Sequence, residues 1–184
     1  MSYKILKTIS MELSASSINA AIREVKLFQK QLKETMNELV QKLMQEGVEI
    51  AKMQVVSMDA FDTGYLESSI HKGLFIPEWG VGWVVVDAPY AVFVEYGTGV
   101  VGAEDGHTGI GDHDWNDPIV SMNGKVYAGY DSQGHGEAGW FYIDDRDGKR
   151  KWTKGYVSRP FMYNTMRWLE EVAPERTSEM WNQM

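Results

Sequence analysis

Polar and apolar positions change period several times along this chain, and each change marks a predicted element. Between Thr8 and Ser14 they alternate. Ile9, Met11 and Leu13 fall on one side, and Thr8, Ser10, Glu12 and Ser14 on the other. That two-residue period predicts a short half-buried strand. Ser16 or Ser17 then offers a helix N-cap, since a serine oxygen accepts a first-turn backbone N–H. From Ile18 the period becomes helical. Ile18, Ile22, Val25, Phe28 or Gln29, Leu32, Met36, Leu39 and Leu43 recur at spacings of three and four, with Lys, Arg and Glu on the other faces. Unbroken to Met58, this helix would be about 60 Å long at ~1.5 Å per residue. A domain of this size has a radius of gyration on the order of 16 Å. Either Gly47 bends the helix, or part of it packs on a neighbouring subunit.

Asp62-Thr63-Gly64 is a turn signal. Tyr65 to Ile76 then reads as a strand ended by Pro77, and Trp79 to Asp87 as a second strand, joined by a short loop containing Pro77 and Glu78. Ala88-Pro89 stops the second strand. Tyr90 to Tyr96 is expected as a short helical segment, with Tyr90, Phe93 and Val94 on one face. Residues 97–139 hold 11 of the 18 glycines, a density whose entropy cost opposes local order. A long loop is expected there, with one strand at Lys125 to Tyr130. Trp140 to Val157 forms a hairpin around Asp147-Gly148, a strong turn signal. Ser158 is expected to cap a final helix with Pro160 near its first turn. Met162, Thr165 or Met166, Leu169 and Val172 make its apolar stripe, and Pro174 is expected to interrupt it. Glu175 to Met184 would add one more turn or fray.

The order is strand, long helix, three or four antiparallel strands, helix. That predicts an α+β fold in one domain, residues 1–184, with the long N-terminal amphipathic helix and the C-terminal helix packed on a small antiparallel sheet. A hydrophobic fraction of 43% argues against disorder. No apolar run approaches the ~20 residues of a membrane span. The N-terminus lacks the apolar core of a signal peptide. With no cysteine, disulfides, thiolate metal sites and cysteine nucleophiles are excluded. The net charge is −8. Residues 97–139 carry seven acids (Glu104, Asp105, Asp112, Asp114, Asp117, Asp131 and Glu137) against Lys125 alone. Such a balance does not grip DNA, which needs Lys and Arg to displace counterions.

The best candidate for chemistry is the cluster His107, Asp112, His113 and Asp114, all metal-ligand types. With His135 it would suit a metal-dependent hydrolase, although its spacing fits no established motif. Asp112, Asp114 and Asn116 open like a calcium loop, but Asp117 stands where glycine is needed, Pro118 follows, and no bidentate Glu closes it. Gly97, Gly99 and Gly102 match a dinucleotide fingerprint in letter only, because they open an acidic loop instead of a helix. No nucleophile elbow, Walker loop or H-E-x-x-H occurs. Asp144, Asp145 and Asp147 beside Arg146, Lys149, Arg150 and Lys151 read as a solvated hairpin tip or a subunit contact. Trp79, Trp83, Tyr90, Phe93, Tyr96, Trp140, Tyr142, Trp152 and Tyr156 crowd the sheet region. One small sheet cannot bury them all, so some are expected to face another subunit.

Three stretches carry a resemblance. They are Asp62-Thr63-Gly64-Tyr65-Leu66-Glu67-Ser68-Ser69-Ile70, Pro89-Tyr90-Ala91-Val92-Phe93-Val94-Glu95-Tyr96-Gly97-Thr98, and Lys154-Gly155 leading to Arg159-Pro160-Phe161-Met162. In this order, behind a long amphipathic helix, they resemble the gp-ten-like family of head–tail joining and tail-completion proteins of tailed bacteriophages. The resemblance implies a small α+β subunit of the virion, assembled in the host cytoplasm. Its copies would form a homo-oligomeric ring, typically six-fold, at the neck or tail top beside other neck or tail proteins. DNA would pass through without sequence-specific binding, and an acidic stretch lining the passage would keep it from adhering. The resemblance implies no reaction, no cofactor and no membrane. The matching positions are Asp62, Thr63, Gly64, Leu66, Pro89, Tyr90, Ala91, Val94, Glu95, Gly97, Thr98, Gly155, Pro160 and Phe161. Their expected roles are structural: Asp62 to Gly64 turn helix into strand, Pro89 ends a strand, and Gly97 with Gly99 releases the chain into the loop.

Overall fold

A computed structural model describes residues 8–60, 63–98, 119–120, 126–127, 140–144 and 147–183. The fold is α+β. A long helix α1 (Ala15–Ser57) leads into a single turn α2 (Tyr65–Ser68) and a hairpin of β1 (Ile70–Ile76) and β2 (Val81–Val86). A short helix α3 (Ala91–Tyr96) follows. Then come β3 (Ile119–Val120), β4 (Val126–Tyr127), β5 (Trp140–Ile143), β6 (Arg150–Thr153), β7 (Gly155–Tyr156) and the C-terminal helix α4 (Phe161–Gln183). Among the described residues the strands form three separate two-stranded sheets, β1-β2, β3-β4 and β5-β6, in place of one sheet of three or four strands.

Several predicted boundaries move. Thr8 to Ser14 is not a strand: among the described residues no strand lies alongside to accept its hydrogen bonds, and residues 8–12 have no regular structure. The cap of α1 is Ser14, two residues earlier than expected: its Oγ accepts the Ser17 N–H at 3.3 Å. Helix α1 runs through Gly47 as 43 helical residues. Its end is a Schellman motif, with Ala60 N donating to Val55 O at 3.0 Å and Asp59 N to Val56 O at 3.1 Å. Asp59 supplies the left-handed residue at φ 54°, a conformation aspartate tolerates better than most side chains. Tyr65–Ser68 is helical, so the predicted strand from Tyr65 starts only at Ile70. Trp79 sits in the β1-β2 turn, and β2 starts at Val81. The short helix over Tyr90 to Tyr96 and the hairpin around Asp147-Gly148 form as expected. Pro174 does not interrupt α4; it removes one N–H, and the flanking turns hold the helix.

The chain forms two compact units. The first comprises Met1–Glu49, His71–Val85 and Arg167–Met184. Here Leu39, Met44 and Val48 of α1 are buried. A Cβ on Gly82 of β2 would overlap the Met44 side chain, and one on Gly47 would lie 2.9 Å from Val84 Cγ2 and 3.2 Å from Leu169 Cδ1 of α4. Both glycines therefore serve close approach: α1 and α4 meet over the face of the hairpin that carries Gly82 and Val84. Strand alternation turns Trp83 and Val85 to the opposite face, where a Cβ on Gly73 would overlap Val85 Cγ2. Arg176 of α4 ties to Glu46 of α1 at 3.0 Å.

The second unit comprises Ile50–Ile70 and Val86–Met166. It holds the larger share of the core: Ala51, Val55, Leu66, Ile70, Ala88, Ala91 and Phe161 are all buried. Its β5-β6 hairpin pairs Trp140 with Thr153 and Ile143 with Arg150. Gly148, at φ 65°, makes the turn possible.

Candidate functional site

The second unit brings the three family-like stretches together. Gly64 at φ 80° lets the chain reverse into α2, where Tyr65 N donates to Thr63 Oγ1. Leu66 and Ile70 go into the core. Asp87 N donates to Ser69 O at 3.2 Å, and the Tyr65 and Tyr90 rings lie 6.2 Å apart. These contacts tie the first stretch to the second. The third closes on the second through α3: Arg159 N donates to Val94 O at 2.9 Å, Ser158 Oγ to Glu95 O at 2.6 Å, and Tyr156 N to Thr98 Oγ1 at 3.1 Å. Arg159 Nε also donates to the Met58 carbonyl at 2.9 Å, just past the end of α1. Gly97 (φ 76°) and Gly155 (φ 108°) both take left-handed backbone here. Asp62 and Gly99 lie outside the described residues.

Glu95 is the centre of this arrangement. Its carboxylate is 7% exposed and accepts the Met162 N–H at 2.9 Å and the Tyr163 N–H at 2.8 Å. Those are donors of the first turn of α4, which a helix cannot satisfy from its own carbonyls, and there a negative charge also meets the positive end of the helix dipole. The expected capping residue, Ser158, is spent on Glu95 O instead, because its hydroxyl points back to α3. Sequence reasoning missed this cap: 67 residues separate Glu95 from Met162, beyond any local capping pattern. Burial, and secondly the charge of Glu95, raise the hydroxyl pKa of neighbouring Tyr96. A carboxylate occupied by two backbone donors of another helix is a staple between α3 and α4.

Among the described residues no three His, Asp or Glu side chains gather in a metal-binding group. His107, Asp112, His113, Asp114 and His135 lie outside the described residues, as does most of the glycine-rich stretch 97–139. The only part of it described beyond Thr98 is the β3-β4 pair, with Val120 opposite Val126. The mixed-charge hairpin tip is partly closed on itself. Asp144 is buried at 4% exposure, and Lys151 pairs with it and with Asp147. Hydrogen bonds to Asp144 first, and Asp147 second, hold the Lys151 amine above the usual lysine range. Asp145 and Arg146 are outside the described residues.

What the structure leaves uncovered is apolar surface. On α1, Ile18, Ile22, Val25, Leu27 and Met36 are exposed, Ile22 at 46% and Val25 at 43%. On the β1-β2 hairpin Leu74, Trp79, Val81 and Trp83 are exposed. In the second unit Phe141, Ile143, Trp152 and Tyr156 are exposed, with Phe141 and Trp152 edge to face at 4.6 Å and Arg150 over the Phe141 ring. Of the aromatics that crowd the sheet region, Trp79, Trp83, Tyr90, Trp152 and Tyr156 are exposed, while Phe93 and Tyr96 are half-buried. Grouped apolar exposure of this kind marks interaction surfaces more often than chemistry. No known protein family, no curated protein and no solved structure matches this chain.

Proposed function

We propose that this protein is an oligomer-forming structural part of a tailed bacteriophage, placed at the neck or tail top where phage DNA passes, and that it catalyses no reaction. The observation that carries the reading is the uncovered apolar stripe on the first half of α1, from Ile18 to Met36. A helix keeps such a stripe at helical spacing only where something packs on it. Water alone would select polar residues there. The resemblance of the three motif stretches supplies the phage context. Their use in turns, caps and strand ends, with Glu95 engaged by α4, suits a building block.

Size-exclusion chromatography with light scattering over a range of concentrations tests this. The expected result is a defined oligomer, six copies for a ring of the kind the resemblance implies. A strictly monomeric mass at every concentration refutes self-assembly. Metal analysis of the same preparation addresses the hydrolase alternative: bound stoichiometric metal that disappears in His113→Ala would establish a metal site at His107, Asp112, His113 and Asp114.

A further inference from the structure

The first unit carries two uncovered apolar patches of different shape. One is the convex α1 arm, with Ile18, Ile22, Val25 and Met36. The other is the outer side of the β1-β2 hairpin, with Val81 and Trp83 and, at its turn, Trp79, which is 75% exposed. The inner side of the same hairpin already receives α1, with Met44 over Gly82 and Gly47 beside Val84. From these observations we propose that the α1 arm of one copy docks on the outer face of the β1-β2 hairpin of the next, so that copies join head to tail. This rests on the assembly reading above and specifies its interface.

Charge selects a second copy's body over a second arm as the occupant. Ala15 to Lys33 holds four bases (Arg23, Lys26, Lys30 and Lys33) against Glu24, a net +3. The rest of the chain has 14 bases against 25 acids, a net −11. An arm is therefore attracted to the body of another copy and repelled by another arm. An arm-to-arm seam along Ile18, Ile22, Val25, Leu32 and Met36 would also be flanked by Lys26 and Lys33, with Gln29 inside it. The hairpin offers a neutral strip, its only charged residues being Lys72 and Glu78, besides His71. A stable interface buries roughly 800 Å² per partner, and a head-to-tail arrangement uses both patches of every copy toward it. Two different patches in one contact make a heterologous interface, which closes into a ring when the rotation permits.

The absence of cysteine makes a clean test possible. Val25→Cys and Val81→Cys each introduce a sole thiol at an exposed position, and a short bismaleimide probes their proximity. An equal mixture of the two single variants is expected to cross-link into dimers, while either variant alone is not. The double variant is expected to give a ladder extending past dimers. Cross-linking of Val25→Cys alone, or no link in a mixture that light scattering shows to be oligomeric, overturns the docking and leaves assembly standing. A monomeric protein that links only within one chain overturns both.

Discussion

The two halves of α1 share one amphipathic pattern and meet different fates. From Leu39 to Val55 one face is closed: Leu39, Met44 and Val48 are buried, and Ala51 and Val55 have no exposed surface, while Met53, on the far side from Ala51 and Val55, is exposed. From Ile18 to Met36 the same spacing leaves Ile22 and Val25 almost half exposed. Periodicity thus specifies which face of a helix seeks cover and does not say whether cover comes from the same chain. The core side of α1 holds the fold, and the arm is the surface on which the proposed assembly would rest.

The sharpest way to break this comparison is to place one charge in each half. Val55→Asp buries an unpaired carboxylate and is expected to cost at least about 3 kcal/mol, enough to unfold much of the protein. Val25→Asp should change monomer stability by less than about 1 kcal/mol, the scale of helix propensity and surface substitutions. It should also weaken assembly by at least about thirtyfold if Val25 behaves as a central interface residue. Urea unfolding and light scattering on both variants decide. Equal loss of stability would show that the arm is core after all.

Glu95 sharpens the closed side. Glu95→Ala leaves two first-turn N–H groups of α4 without their acceptor in a part-buried place and is expected to cost about 1–3 kcal/mol. Glu95→Gln keeps an acceptor but loses the charge facing the helix dipole, and should cost about 1 kcal/mol. Chemical denaturation of the pair tests this, and a Gln variant as damaged as Ala would contradict a charge-assisted cap. Gly82→Ala probes the packing of α1 on the hairpin. The added methyl meets the buried Met44 side chain, so a loss of about 1–3 kcal/mol is expected from overpacking. An unchanged unfolding midpoint would mean that the helix lifts off the hairpin freely.

The smallest effect is expected at the β5-β6 tip, where Lys151 is itself largely open to solvent although its partner Asp144 is buried. The amine pKa of Lys151 is raised in the folded protein by Asp144 and Asp147. Its stabilising contribution is therefore fully present below the unfolded lysine value of about 10.4. It fades as pH climbs through the higher folded value. Thermal melts of the parent and Lys151→Met should differ slightly at pH 8 and converge at strongly alkaline pH. A difference that persists unchanged there would assign the effect to packing of the lysine stem.

Much of the fold was legible in local pattern. The long helix, the β1-β2 and β5-β6 hairpins, the short helix after Pro89 and the helix behind Pro160 each announce themselves through period, turn residues or capping chemistry. The misses share a cause. Thr8 to Ser14 alternates as a strand does, yet a strand exists only with a partner to accept its hydrogen bonds. Ser158 has the chemistry of a cap, yet Glu95 reaches α4 from α3 and displaces it. Gly47 lies within the helix, where it lets Val84 and Leu169 approach, a contact that no local spacing shows. Pro174 looked like a break, and the helix absorbs the loss of one donor.

What the sequence determined by itself is the α+β class, the amphipathic faces and the turns, since these follow from steric preferences and spacing within a few residues. Packing alone settles which apolar faces are covered, and that Glu95 staples α3 to α4. Those outcomes depend on groups brought together from far apart in the chain, whose meeting no local spacing encodes.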